Sequence, residues 1–179
     1  MNKQVIMYGS QYGSTKRYAE RLSEITGIEA VNYKEVKNIG DYQRIVYLGG
    51  LFAGGVMGLK KTVGKMTSQQ ELVLVTVGLT DPDETSYYES IRKAIQAQLP
   101  SPFYDEHKIF HLRGAIDYSQ LGFKHRLMMK MFHSMMLKKP ESELTADAKT
   151  MLETYGKQVD FVDYDGLNPI IEIVGKTKS

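Results

Sequence analysis

A chain of 179 residues with 42% hydrophobic content is sized for one domain with a full core, and no segment reads as disordered. It has no cysteine, which excludes disulfides, iron–sulfur clusters, thiolate catalysis and thiolate zinc sites together. A net charge of +2 is too small to argue for nucleic acid. No apolar stretch approaches the ~20 residues that span a bilayer and no signal peptide is apparent, so a cytoplasmic location is expected.

Val5 to Tyr8 is a near-continuous apolar run, which predicts a strand buried on both faces of a parallel sheet. It leads into Ser10-Gln11-Tyr12-Gly13-Ser14-Thr15 and then into an amphipathic helix. A helix N-terminus leaves backbone N–H groups without intrahelical partners and carries partial positive charge, so an anion fits there. Ser10, Tyr12, Ser14 and Thr15 add hydroxyls, and Gly13 is free to take a positive φ. The loop lacks the Gly-x-Gly-x-x-Gly of a buried pyrophosphate and the lysine of a triphosphate loop. Gly64-Lys65 is no substitute: Met66 follows it, and Leu59 stands where the earlier glycine belongs. A hydroxyl-rich loop suits a terminal phosphate monoester, with FMN the leading candidate.

The helix from Thr15 to Thr26 places Tyr18, Ala19, Leu22 and Ile25 on one face, and Gly27 is placed to end it. A second strand is predicted over Ile28 to Tyr33 and a third over Arg44 to Leu48. The third runs into a loop, Gly49-Gly50-Leu51-Phe52-Ala53-Gly54-Gly55, whose glycines let backbone approach a flat ring while Leu51 and Phe52 offer apolar contact. A short helix is expected over Leu59 to Met66, then a fourth strand, Leu72 to Val77, ending in Gly78-Leu79-Thr80 as another wall. Turn glycines are common at strand ends, but two such loops beside a phosphate loop describe a ligand crevice. Asp81-Pro82-Asp83-Glu84 predicts a helix with Asp81 as its N-cap, running to Leu99 before Pro100. Lys108 to Leu112 reads as a fifth strand, and helices are predicted from Lys124 to Leu137 and from Thr145 to Val159. Strands alternating with helices give a doubly wound α/β domain, and the order 2-1-3-4-5 puts a ligand at the switch point between strands one and three. A phosphorylated receiver needs acids where Ser10 and Gly49 stand, and a phosphate-loop phosphatase needs a cysteine.

Ser10-Gln11-Tyr12-Gly13-Ser14-Thr15 resembles the phosphate motif of the flavodoxin family, in which a small hydroxyl residue opens the loop and Gly-x-Thr closes it. Gly114-Ala115-Ile116-Asp117-Tyr118 and Arg126-Leu127-Met128-Met129-Lys130-Met131 resemble one branch, the flavodoxin-like protoporphyrinogen oxidases that pass electrons to menaquinone. The likeness covers roughly residues 3 to 160 and implies a flavodoxin-like sheet flanked by helices on both faces. It also implies non-covalent FMN held by Ser10 to Thr15, Gly49 to Gly54 and Gly78 to Thr80. Residues 161–179 read as a tail attached to the same domain.

Lys124 to Lys139 carries Lys124, Arg126, Lys130, Lys138 and Lys139 without an acid, and Leu127, Met128, Met131 and Met135 form an apolar stripe broadened by Phe132 and Met136. The stripe is expected to pack on the sheet with the cations as a solvated face. The alternative lays the helix on an anionic membrane surface or a quinone-type acceptor. His107, His111, His125 and His133 have no metal-ligand spacing, and no metal is expected. Two functions follow: an FMN oxidoreductase with a quinone or other small acceptor, and an electron carrier between redox proteins. Carriers of this family are typically acidic, which +2 does not match.

Overall fold

The computed structural model describes residues 3–52 and 54–175. Five parallel strands form its centre: β1 (Gln4–Gly9), β2 (Ala30–Asn32), β3 (Arg44–Phe52), β5 (Glu71–Gly78) and β6 (Ile109–Arg113), in the order β2-β1-β3-β5-β6. Counted over parallel strands alone, this is the expected 2-1-3-4-5. A two-residue strand, β4 (Gly55–Val56), pairs antiparallel with the far end of β3. The register sets Gly9 beside Gly49, Gly50 beside Val77 and Gly78 beside Arg113, so the strands' carboxyl ends finish at one edge. That edge is where the loops meet.

Alternate residues of each strand face opposite layers. Val5, Met7, Ile45, Tyr47, Leu72 and Leu74 pack against α2 (Leu59–Val63) and α3 (Thr85–Gln98). Ile6, Val46, Leu48, Val73 and Val75 pack against α1 (Ser14–Thr26) and α6 (Asn168–Val174). The segment after 160, read from sequence as a tail, therefore contributes Leu167, Ile170, Ile171 and Val174 to the core. Gln4 Nε2 and the Arg44 guanidinium donate to the Val174 and Ile173 carbonyls, each at 3.2–3.3 Å, which ties α6 to the sheet. A third, smaller core joins Ile116, Tyr118, Leu121 and Met129 beside the main sheet. It is framed by the antiparallel pair β7 (Ala115–Asp117) and β8 (Gln158–Asp160) and by α4 (Phe123–Met136) and α5 (Ala146–Thr154).

Several boundaries differ from expectation, each for a local reason. The Asp81 carboxylate accepts from the Asp83 N–H at 3.0 Å and closes a turn there, so α3 starts at Thr85. The last long helix ends at Thr154, because Gly156 at φ +74° turns the chain into β8. What reads as a glycine loop after Leu48 is strand through Phe52, since Leu51 and Phe52 pair with Val56 and Gly55. The short helix closes at Val63 instead of Met66. Among the described residues no helix is long and apolar enough to cross a membrane.

Candidate functional site

A cleft of about 410 Å³ opens at the carboxyl edge of the sheet. Its closed end is the turn between β1 and α1. Gly13, at φ +94°, caps α1, and its N–H donates to Ser10 Oγ at 3.1 Å, which folds the loop over the helix start. The first intrahelical bond runs from the Arg17 N–H to the Gly13 carbonyl, so the N–H groups of Ser14, Thr15 and Lys16 precede the ladder. Ser14 and Thr15 line the cleft with hydroxyl side chains that are 8% and 2% exposed. The nearby cations are committed elsewhere: Arg17 pairs with Asp160 at 2.8 Å and Lys16 with Glu20 at 3.5 Å. An anion here would be met by backbone N–H groups, hydroxyls and the helix dipole.

The walls come from the other strand ends. Gly50, Leu51, Phe52 and Gly54 line one side, Gly78, Leu79 and Thr80 another, while Gln11 and Tyr12 line the cleft from the β1–α1 turn itself. Burial raises the Tyr12 phenol above its usual range. A Cβ on Gly78 would strike the Leu51 side chain and the Tyr87 hydroxyl, so only glycine lets these two walls approach. Gly114 likewise leaves room for Ser14 Oγ. Arg113 holds the wall after β5 in place: its Nε and Nη2 donate to the Leu79 carbonyl at 3.1 and 3.0 Å, with the guanidinium 3.8 Å from the Phe161 ring centre.

Most of the residues singled out from the sequence thus converge, but not all do. Ser10 and Gly13 shape the loop without lining the cleft. Gly49 faces away, because the place of its missing side chain is taken by Val56 of β4 and by Tyr47. Ala53 lies outside the described residues. The sequence reading also missed the part of the cleft lined by α3, α4 and α5. Ile91, Ala94, Met129, Phe132 and Met151 make it apolar, with Asp147 on its open side. Thr80 Oγ1 donates to the Asp147 carboxylate at 2.8 Å. Enclosure by protein raises the Asp147 pKa, partly countered by that bond, with Glu84 adding a smaller upward push. No spacing rule links Thr80 to Asp147, which stands in the first turn of α5, where the Thr145 side chain caps the helix by accepting from the Ala148 N–H.

His125, in the first turn of α4, meets the rings of Tyr12 and Phe52 edge-on at 6.0 and 5.8 Å and so spans two walls of the cleft. Its contact with the Gln11 amide, 3.4–3.5 Å, is too long for a strong hydrogen bond. Met129 and Met136 are the buried residues of α4, with Phe132 and His133 half-buried. The stripe of Leu127, Met128, Met131 and Met135, expected to pack on the sheet, faces outward instead. The reason is that α4 is apolar on two sides, and the small core beside the sheet selected the other one. Among the described residues no group of His, Asp or Glu is arranged to hold a metal ion.

No curated protein matches the chain in sequence. Solved structures similar to it include the metal-soaked Flv1 flavodiiron core from Synechocystis sp. PCC6803, at 15% identity over 62% of this chain with a TM-score of 0.40. The chain spans 30% of that structure's length. Oxidised flavodoxin 1 from Bacillus cereus is 12% identical over 62% of this chain and 83% of its own, with a TM-score of 0.41. The Fusobacterium nucleatum flavodoxin bound to flavin mononucleotide is 16% identical over 52% and 66%, with a TM-score of 0.40. The sequence model of the flavodoxin domain matches residues 5–143, and the chain belongs to that family.

Proposed function

We propose that this chain binds FMN non-covalently in the cleft and moves electrons through it as an oxidoreductase with a small acceptor. The observation that carries the reading is the meeting of buried Ser14 and Thr15 hydroxyls, a helix N-terminus and two glycine-bearing apolar walls in one cavity. The phosphate belongs at Ser10 to Thr15. The flavin ring belongs beside Gly50, Leu51, Phe52, Leu79 and Thr80, in the space left open where Leu51 packs on Gly78. Bound there, FMN supplies the redox chemistry, and the protein supplies placement and electrostatics. Gly78 lets Leu51 close against the end of β5, Leu51 and Phe52 exclude water from the ring's face, and Arg113 keeps the Leu79 carbonyl in position.

The apolar part of the cleft lined by α3, α4 and α5 supports a quinone-type acceptor, as in the protoporphyrinogen-oxidase-like branch. Its lining would hold a flat apolar molecule, and the Asp147 carboxyl, oriented by Thr80, is the group placed to exchange a proton with it. Such an acceptor is itself a membrane solute, so the reading implies peripheral contact with a membrane. The carrier alternative lacks an acidic face to steer it to a basic partner, given a net charge of +2.

The test is the visible spectrum of the purified protein followed by titration with FMN. A yellow protein, or saturable binding of added FMN, is expected; a colourless preparation that binds none overturns the reading. Quinone-linked oxidation of protoporphyrinogen, set against reduction by a flavodoxin reductase, then separates enzyme from carrier.

A further inference from the structure

The outward side of α4 is an unpartnered surface with an unusual composition. Phe123, Leu127, Met128, Met131, Met135 and Leu137 are exposed along it, Phe123 by 81% and Met131 by 61%. Leu127, Met128, Met131 and Met135 recur at three- and four-residue spacing, opposite the inward Met129, Phe132 and Met136, so they form one continuous strip. The helix is about 21 Å long at 1.5 Å per residue. Lys124 lies within the strip, Lys130 flanks it, and Lys138 and Lys139 follow the helix end, whereas Arg126 lies on the other side and donates to the Ser119 and Leu121 carbonyls. Among the described residues none of these four lysines forms an ion pair. Apolar area this extended marks an interaction site on a soluble surface.

We infer that this face of α4 docks the protein on an anionic lipid surface, with the apolar strip in the headgroup boundary and the cations on the lipid charges. Three features favour a bilayer. The apolar side chains project from one side of a single helix with long cations able to lie along the interface and reach back to the headgroups, the arrangement of an interfacial helix. A second copy of the chain is disfavoured, because an isologous contact would set these cations against one another without an acid between them. An acidic protein would meet the cations but would leave the exposed Phe, Leu and Met side chains poorly matched.

Met128 links the surface to the cleft. It is exposed on the strip and also lines the cavity whose inner wall is Met129 and Phe132. Docked this way, the Met128 side of the cleft faces the acyl layer, and an apolar acceptor reaches it without crossing water. This orientation rests on the redox reading of the cleft, whereas the docking itself does not.

The experiment is flotation of the full chain, with and without added FMN, on phosphatidylcholine vesicles and on phosphatidylcholine vesicles containing phosphatidylglycerol. Binding is expected only with the anionic lipid, and it should weaken as salt rises. Leu127→Glu with Met131→Glu should abolish it, and Lys124→Gln or Lys130→Gln should each weaken it about fivefold. None of these four side chains lines the cleft, so FMN titration and the circular dichroism spectrum should be unchanged. Equal binding to neutral vesicles, no binding to either, or full binding by the Glu variants overturns the proposal. So does a dimer in sedimentation that the Glu variants split, or selective capture of an acidic redox protein by the same face without lipid binding. Failure to bind FMN with vesicle binding intact would strike the redox reading alone.

Discussion

The parallel sheet with its turn from β1 into α1 and the lobe from Gly114 to Asp160 are built on different terms. In the sheet, Val5, Ile6, Val46, Leu48, Val73 and Val75 are fully buried, and each strand packs a helix layer on both faces. The lobe has a core of few residues, two short strands, and a helix, α4, with five exposed apolar side chains against two buried ones. The sheet buries its hydrophobic residues and sets the cleft at its carboxyl edge. The lobe leaves many of its own exposed along the outer face of α4 and lends the cleft Met128, Met129, Phe132 and Met151. Close packing and exposed apolar surface thus reside in different halves of the molecule, as expected when binding features are carried on a rigid scaffold.

The sharpest way to break this contrast is a truncation in each half. Leu48→Ala should cost about 2–5 kcal/mol, because it opens a cavity among fully packed neighbours. Urea denaturation gives the figure, and a loss under about 1 kcal/mol would mean the sheet is not the stable half.

The next largest effect is one of pH at the sheet edge. Burial pulls the His111 imidazole down from 6.5 to about 4, beside the Thr76 hydroxyl at 2.6 Å. The unfolded chain therefore takes up the proton first, and stability rises with pH across this window. It should be fully present above pH 6.5 and fall by up to roughly 3 kcal/mol as pH drops toward 4. His111→Gln should flatten that part of the stability–pH curve; an unchanged slope would assign the effect to other groups.

Ser14→Ala combined with Thr15→Ala tests whether the loop addresses phosphate. Losing two donors to a charged group should weaken FMN about 10- to 100-fold and riboflavin little. Equal losses for both ligands would relocate the phosphate. At the small end, Met131→Ser on the outer face of α4 should change stability by no more than about 0.5 kcal/mol. A larger loss would show that the face is packed in solution and would remove the contrast between the two halves.

The sheet region was largely legible because its signals are local. Gly27 ends α1 and Gly13 takes a positive φ, both as expected, and the helix begins at Ser14, one residue before its expected start. Uninterrupted apolar runs located the central strands. The lobe was legible only in part. Ala115–Asp117 and Gln158–Asp160 are too short to show alternation, and they pair across some forty residues of intervening chain. The Thr80–Asp147 contact joins residues on different elements that no local rule connects.

By itself the sequence determined the doubly wound class, the turn from β1 into α1 and the strand ends around it, since hydrophobic period, glycine position and capping chemistry act over a few residues. Only the tertiary structure decided which side of α4 is buried, that residues 167–174 complete the core, and that Gly49 turns from the cleft while Asp147 turns to it. Periodicity reveals that a helix has an apolar side; which side finds a partner depends on surfaces brought together from distant parts of the chain.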